Sequence, residues 1–278
     1  MIGKIAVFLC LYILVRGAHL FYVYRKGKRN HKIMKGAEPF FYKKGKKGAL
    51  LIHGSTCSPS DLRDLGKYLA DRDITVSAPL IKGHGTSPYC LAVTSWKDWV
   101  RSMEEALEEL KKEVDKVYIA GTSIGGNIAL CLAAKHDVDG LISLGTPIYF
   151  RRKNFYKRLA FFVGLFKSFQ RKWYKRIIDN EIQEKRVGYD VIPVKIVNEG
   201  LSLVEESRRL LPKITAPSLI MHSTKDFGVK ESTVSYLLKN IGSKKKKVIW
   251  VKDAYHVFII DKNKEESFRE IYSFIKEN

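Results

Sequence analysis

Residues 116–133 read KVYIAGTSIGGNIALCLA, and the fold follows from how this stretch divides. The first part, VYIAG (117–121), is a short apolar run rich in β-branched and aromatic residues, the pattern of a buried strand. The last part is apolar, rich in alanine, and long enough for a helix. Between them lies Gly-x-Ser-x-Gly, with Ser123 flanked by Gly121 and Gly125. A strand that turns directly into a helix lifts the residue at the bend out of the sheet. Glycines two positions to either side allow the backbones to pack where a Cβ would clash. A serine at that bend is a candidate nucleophile.

Outward from this element the same rhythm repeats. On the N-terminal side, EPFFYKKGKKGALLIHG (38–54) reads as a short aromatic strand, a Lys and Gly turn, and a buried strand at 49–52. A helix with Leu62, Leu65 and Leu69 on one face follows, then strand ITVSAP (74–79). In SWKDWVRSMEEALEELKKEV (95–114), Trp96, Trp99, Val100, Met103, Leu107 and Leu110 recur at helical spacing while Glu and Lys fill the outer face. On the C-terminal side, strands are expected at 141–145, 218–223 and 247–251, with helices near 231–241 and from 264 onward. Strands alternating with helices imply an α/β chain with a doubly wound, mostly parallel sheet. The alternation breaks at 149–212, a stretch with aromatic and basic helical segments and no expected strand, which reads as a small helical cap insertion. Its segment FYKRLAFFVGLFKSFQRKWYKR (155–176) mixes Phe161, Phe162, Leu165, Phe166 and Phe169 with many cations.

The chain carries a formal charge of +21, yet 45% of it is hydrophobic and 12% aromatic, so it is not a disordered basic tail. The excess is localised. Residues 1–48 hold 12 Lys and Arg against 1 acid, and residues 151–186 hold 12 against 3, so the remainder is nearly neutral. Attraction to anionic lipid headgroups is one reading, and a solvated basic surface is the other. No helix-turn-helix, zinc-finger or RNA-binding signature accompanies the charge, which argues against nucleic acid. The four cysteines, Cys10, Cys57, Cys90 and Cys131, have neither metal-site nor disulfide spacing.

Residues 5–24, IAVFLCLYILVRGAHLFYVY, have bilayer-crossing length and are apolar except for Arg16 and His19. No small-x-small cleavage site follows, so an uncleaved membrane-anchor-like helix is expected. The basic flank at Arg25, Lys26, Lys28, Arg29 and Lys32 places the body on the cytoplasmic side by the positive-inside tendency. A tilted interfacial helix is the alternative. The chain thus divides into an anchor and basic linker over 1–35 and a catalytic domain over 36–278.

A serine hydroxyl is a weak nucleophile and needs a base, which in turn is oriented by an acid; at a bend of this kind the three follow in the order Ser, Asp, His. His256 lies after strand KVIWV and before the terminal helix, where the base is expected. Asp226 ends the strand and loop SLIMHSTKD (218–226), with Asp253, three residues before the histidine, as its rival. The oxyanion of an acyl-transfer intermediate needs two preorganised N–H donors. Ile124 supplies one by position, and the loop LLIHGSTCSPSD (50–61) supplies the other through Ser55, with Thr56 in reserve.

Taken in order, the PFFY strand, LLIHG, Lys82-Gly-His-Gly85, Lys97-Asp-Trp99, AGTSIGG and the final Tyr255-His-Val257 resemble small bacterial carboxylesterases and monoacylglycerol lipases of the α/β-hydrolase superfamily, from Pro39 to near the C-terminus. The resemblance implies the α/β-hydrolase fold and a triad matching Ser123, Asp226 and His256. It further implies a serine carboxylesterase, and the aromatic cap, basic surface and anchor together point to short to medium-chain acyl esters, including monoacylglycerol-type lipids. A thioesterase, lysophospholipase or acyltransferase would use the same residues, and a non-catalytic membrane-associated module would have no need of them. No metal or cofactor is implied. The chain departs from the family at Ser55, where an aromatic often follows His-Gly, and in the basicity of its cap.

Overall fold

The computed structural model describes residues 2–29, 31–172, 186–262 and 264–278. Its centre is a seven-stranded sheet. The strands are β1 (Phe40–Tyr42), β2 (Lys47–Ile52), β3 (Ile74–Ala78), β4 (Lys116–Thr122), β5 (Gly140–Leu144), β8 (Ser218–Ser223) and β9 (Lys246–Val251), ordered β1-β3-β2-β4-β5-β8-β9. Only β1 runs antiparallel, against β3; every other pairing is parallel. The parallel strands are buried on both faces, which is why they read as continuous apolar runs.

Side chains of successive strand residues point to opposite faces, so each strand feeds two cores. Leu50, Ile52, Ile119, Leu141 and Ile220 face one side. They meet α4 (Trp96–Lys111), α5 (Ile124–Ala133), α7 (Lys195–Leu210) and α8 (Ser232–Asn240). Ala49, Leu51, Tyr118, Ala120, Ile142 and Met221 face the other side, against α2 (Arg63–Ala70) and α9 (Lys264–Glu277). The α4 helix starts at a capping box in which Ser95 and Asp98 bond each other's backbone N–H groups. All ten residues of α5 are buried, because α7 covers the side turned away from the sheet, and Asn127 Nδ2 ties the two helices through Ser207 Oγ at 2.9 Å.

The stretch at 149–212 contains α6 (Lys153–Phe166) and α7. It differs from the expectation in one respect. Short strands β6 (Phe169–Arg171) and β7 (Val191–Pro193) pair antiparallel as a separate ribbon. Three-residue strands show no alternation to read, so pairing between distant partners forms them here. Residues 173–185, with the end of the aromatic and basic segment, lie outside the described residues. The N-terminal helix, α1 (Ile2–Gly27), packs against α3 (Pro88–Ala92) and the cap.

Two histidines bind loops together beneath the sheet's C-terminal edge. His53 accepts the Ile81 N–H on Nε2 at 3.1 Å and donates through Nδ1 to Gly54 O at 2.9 Å. His84 stacks edge-on between His53 and Trp99. Burial pushes His53 down to about 4 and His84 down to about 3, so both are neutral in the fold. The unfolded chain takes up those protons near 6.5.

Stability should fall as the pH drops from 6.5 toward 4, because the unfolded chain then binds roughly two more protons than the fold. His84→Leu should remove about one proton from that slope in urea titrations at stepped pH, and an unchanged slope would place the protons elsewhere. Gly121→Ala puts a Cβ 2.2 Å from Gly125 O, a backbone clash expected to cost about 1–3 kcal/mol. Gly17→Ala in α1 meets nothing within 4 Å and, because alanine is favoured over glycine inside a helix by roughly 0.5–1 kcal/mol, should not lower the urea midpoint.

Candidate active site

The bend at Ser123 is strained. Its φ of 52° and ψ of −125° lie where a side chain is costly, on the order of 1–3 kcal/mol. Three contacts hold it there. The Ser123 N–H donates to Leu144 O at the end of β5 at 2.8 Å, and Ser123 O accepts from the Gly126 N–H at 2.8 Å. Gly125 lies so close to β2 that a Cβ on it would be 2.4 Å from both Ile52 O and His53 O. The strained turn is therefore locked between two neighbouring strands, and its hydroxyl faces the C-terminal edge of the sheet.

His256 reaches this hydroxyl from the loop after β9, with Nε2 2.9 Å from Ser123 Oγ. On the other side of the ring, Nδ1 lies 2.6 Å from Asp226 Oδ2. An ionised carboxylate only accepts, so Nδ1 carries the proton and Nε2 presents its lone pair to the serine. The side chain of Asp226 is fully buried. Burial favours its neutral form, but the hydrogen bond and charge of His256 and the N–H groups of Val229 and Gly228 prevail and hold the carboxyl below its usual range. Those two N–H groups bond Oδ1 at 2.9 and 2.8 Å, leaving Oδ2 for the imidazole.

The rival carboxylate points elsewhere. Asp253 pairs with Lys225 at 2.9 Å with its side chain 73% exposed, and that cation holds it below its usual range. Its own φ of 55° belongs to the turn that carries the chain toward His256.

Ile124 is the first residue of α5, so its N–H lies ahead of the helical ladder. The loop after β2 passes beside the serine, where a Cβ on Gly54 would lie 3.5 Å from Ser123 Cβ. Ser55 comes next, followed by Thr56 in the left-handed region at φ 59°. The structure thus brings Ser123, Asp226 and His256 into one hydrogen-bonded chain. It also sets the loop that carries Ser55 beside the serine, which Ile124 follows as the first residue of α5.

Sequence reasoning missed the residues that hold these loops from the cap side. Arg151, at the root of the cap, donates from Nε to Asp226 O at 3.0 Å and from its N–H to Gly228 O at 3.0 Å. Arg186 pairs with the buried Asp61 at 2.7 Å, and Tyr189 N–H bonds Thr56 O at 3.2 Å. Tyr189 Oη also donates to Gly83 O at 2.9 Å and accepts from the Thr86 N–H at 2.8 Å. A strap over residues 186–190 therefore lies against the Ser55 loop. Isolated Arg and Tyr residues in a long insertion carry no local signal of this, and buried Asp61 is visible as unusual only once the fold is known.

The chain is similar to known proteins over most of its length. A monoacylglycerol lipase of Bacillus sp. (strain H-257), described as thermostable, is 28% identical over 83% of this chain and 91% of its own length. A carboxylesterase of Bacillus subtilis (strain 168) is 25% identical, over 86% and 96%. Among solved structures, a metagenome-derived lipolytic enzyme superposes with a TM-score of 0.81 at 25% identity, covering 89% of this chain and all of the other. The Paleococcus ferrophilus monoacylglycerol lipase shares the fold, with a TM-score of 0.73 at 22% identity over 87% of this chain and all of the other. The family described as "Serine aminopeptidase, S33" matches residues 44–263, and the chain belongs to this family of α/β-fold serine hydrolases.

Proposed function

We propose that the protein is a serine carboxylesterase in which Ser123 is the nucleophile, His256 the general base and Asp226 the residue that orients it. The supporting observation is the pair of short contacts, 2.9 Å from Ser123 to His256 and 2.6 Å from His256 to Asp226, at a bend whose strain exposes the hydroxyl. Ser123 Oγ attacks the ester carbonyl carbon and passes its proton to His256 Nε2. Asp226 stabilises the resulting imidazolium in its buried, doubly N–H-bonded setting. The oxyanion is met by the N–H groups of Ser55 and Ile124. His256 then gives the proton to the departing alkoxide, which leaves an acyl-enzyme. Water, deprotonated by the same histidine, releases the acid and regenerates the serine.

The substrates are short to medium-chain acyl esters, with monoacylglycerols included because a relative carries that name. The aromatic cap and the long apolar α1 suit a lipid-derived ester. Among the described residues one stretch, the 21 residues Val7–Gly27 of α1, has the length and composition to cross a membrane. Residues 1–35 form the anchor and basic linker of a membrane-associated enzyme, and residues 36–278 form a catalytic domain on the cytoplasmic side, with the cap inserted at 149–212.

Hydrolysis of p-nitrophenyl butyrate tests the assignment. Ser123→Ala should lower turnover by a factor on the order of 10⁴ to 10⁶ with circular dichroism unchanged. Asp226→Asn should cost on the order of 10⁴, whereas Asp253→Asn should stay within about threefold, since an exposed ion pair contributes little. The reverse ranking transfers the acid role to Asp253. Matched acyl-CoA thioesters and aminoacyl anilides should turn over more slowly than esters of the same chain length; preference for either would reassign the substrate class.

A further inference from the structure

We propose that α1 and the cap helix α6 form one in-plane membrane-docking face, held together by Arg16, so that α1 lies along the surface of the bilayer and does not cross it. The proposal rests on the membrane-attached reading above and fixes its geometry. The occupant of the face is a lipid surface carrying anionic headgroups.

Residues of α1 are tied to the body along one edge. In mid-helix the Arg16 guanidinium donates to Gly164 O at 2.7 Å and to Ser168 Oγ at 3.1 Å. One turn earlier, the Tyr12 hydroxyl donates to Leu165 O, and its ring meets Phe166 edge-on at 6.4 Å between centroids. At the far end Gly27 lies against α3, where a Cβ would be 2.4 Å from Tyr89 O, and the Lys26 ammonium sits 4.2 Å from the centre of the Tyr89 ring. From Tyr12 to Gly27 the helix runs roughly 22 Å, most of the ~30 Å hydrocarbon core that a spanning helix must cross. A helix docked over that length could span only by drawing the charged cap into the core with it. Cations such as Lys157 and Arg158 make that arrangement costly.

Away from these contacts α1 is uncovered, with Leu11, Leu14, Val15 and Phe21 exposed. α6 continues the exposed apolar surface through Phe161, Phe162 and Phe166, which are 61%, 60% and 73% exposed. Phe161 and Phe162 share a groove with Lys157 and Arg158, which places cations beside aromatic rings as a headgroup and its acyl chains require. Charge complementarity supports the choice of occupant, because Lys157 and Arg158 lie beside the exposed rings of α6 and Arg25, Lys26, Lys28 and Arg29 follow the apolar run of α1. Arg16 explains how a cation is tolerated in the middle of an apolar helix: the carbonyl and hydroxyl of the cap satisfy it. The cap also touches the site, since Arg151, two residues before α6, holds the Asp226 loop. Docking therefore ties the cap that holds the Asp226 loop to the leaflet that supplies a lipid ester.

Depth-dependent fluorescence quenching tests this on the full chain, added to preformed vesicles of phosphatidylcholine with one quarter phosphatidylglycerol. A fluorophore is attached either to Cys10, which is exposed on α1, or to a cysteine introduced by Phe162→Cys in a Cys10→Ser background. Labels at both positions should be quenched more strongly by spin-labelled lipid near the headgroups than by lipid labelled at the chain ends. Arg16→Ala should keep the label at position 10 in lipid while halving the quenching at 162 or more. Lys157→Gln and Arg158→Gln should each weaken partitioning onto the anionic vesicles roughly fivefold and leave neutral vesicles unaffected. Deepest quenching at position 10 with none at 162, or no effect of Arg16→Ala, overturns the proposal. Labelling of Ser123 by a fluorophosphonate in detergent reports the hydrolase reading separately. A protein that docks but does not label removes that reading alone, and one that labels with the deep pattern removes only the docking geometry.

Discussion

A serine held at φ 52° between a strand and a helix is the constraint on which the rest of the molecule depends. The backbone resists that conformation, so the surroundings must fix it from several sides. β5 does so by accepting the Ser123 N–H, β2 by leaving no room for a side chain at Gly125, and the first turn of α5 by closing on Ser123 O. The parallel sheet matters here because it brings the ends of β2, β4 and β5 to one edge. An antiparallel arrangement would send those loops to opposite ends, and the bend would lose its supports.

The second requirement is a carboxylate kept ionised out of water. Removing a charge from solvent is expensive unless donors replace the water. Asp226 meets that condition with two backbone N–H groups on one oxygen and the imidazole on the other. The donors come from the residues just after it, so the loop closes around its own aspartate. The loop is in turn held by Arg151 from the cap and by the isolated bridge between Phe150 and Val229. Cap and catalytic loop are therefore mechanically one unit, although they are distant in the chain.

How much of this was legible from the sequence depends on how local each signal is. The two-faced core could be read because Leu50 and Ile52 alternate with Ala49 and Leu51 within a single strand. Gly-x-Ser-x-Gly could be read because the steric demand acts over five residues. Asp226 and Asp253 could be ranked because each follows a recognisable strand, and the structure buries the first against His256 and leaves the second exposed on Lys225. The β6–β7 ribbon could not be read, since Phe169–Arg171 and Val191–Pro193 are too short for a period. The strap over the Ser55 loop was hidden for a related reason: Arg186 meets Asp61 across 125 positions, and charge pairs at such separation leave no pattern. Arg16 shows the limit most clearly. In the sequence it counts against membrane insertion, and in the fold it is the joint between the N-terminal helix and the cap.

The most direct measurement is peptide mapping by mass spectrometry after the protein is mixed with p-nitrophenyl butyrate and quenched in acid within the turnover time. The account predicts a single butyryl adduct, located on the peptide that contains Ser123 and absent when His256 is replaced by Ala. An adduct on any other residue, or turnover with no adduct at short times, would contradict it.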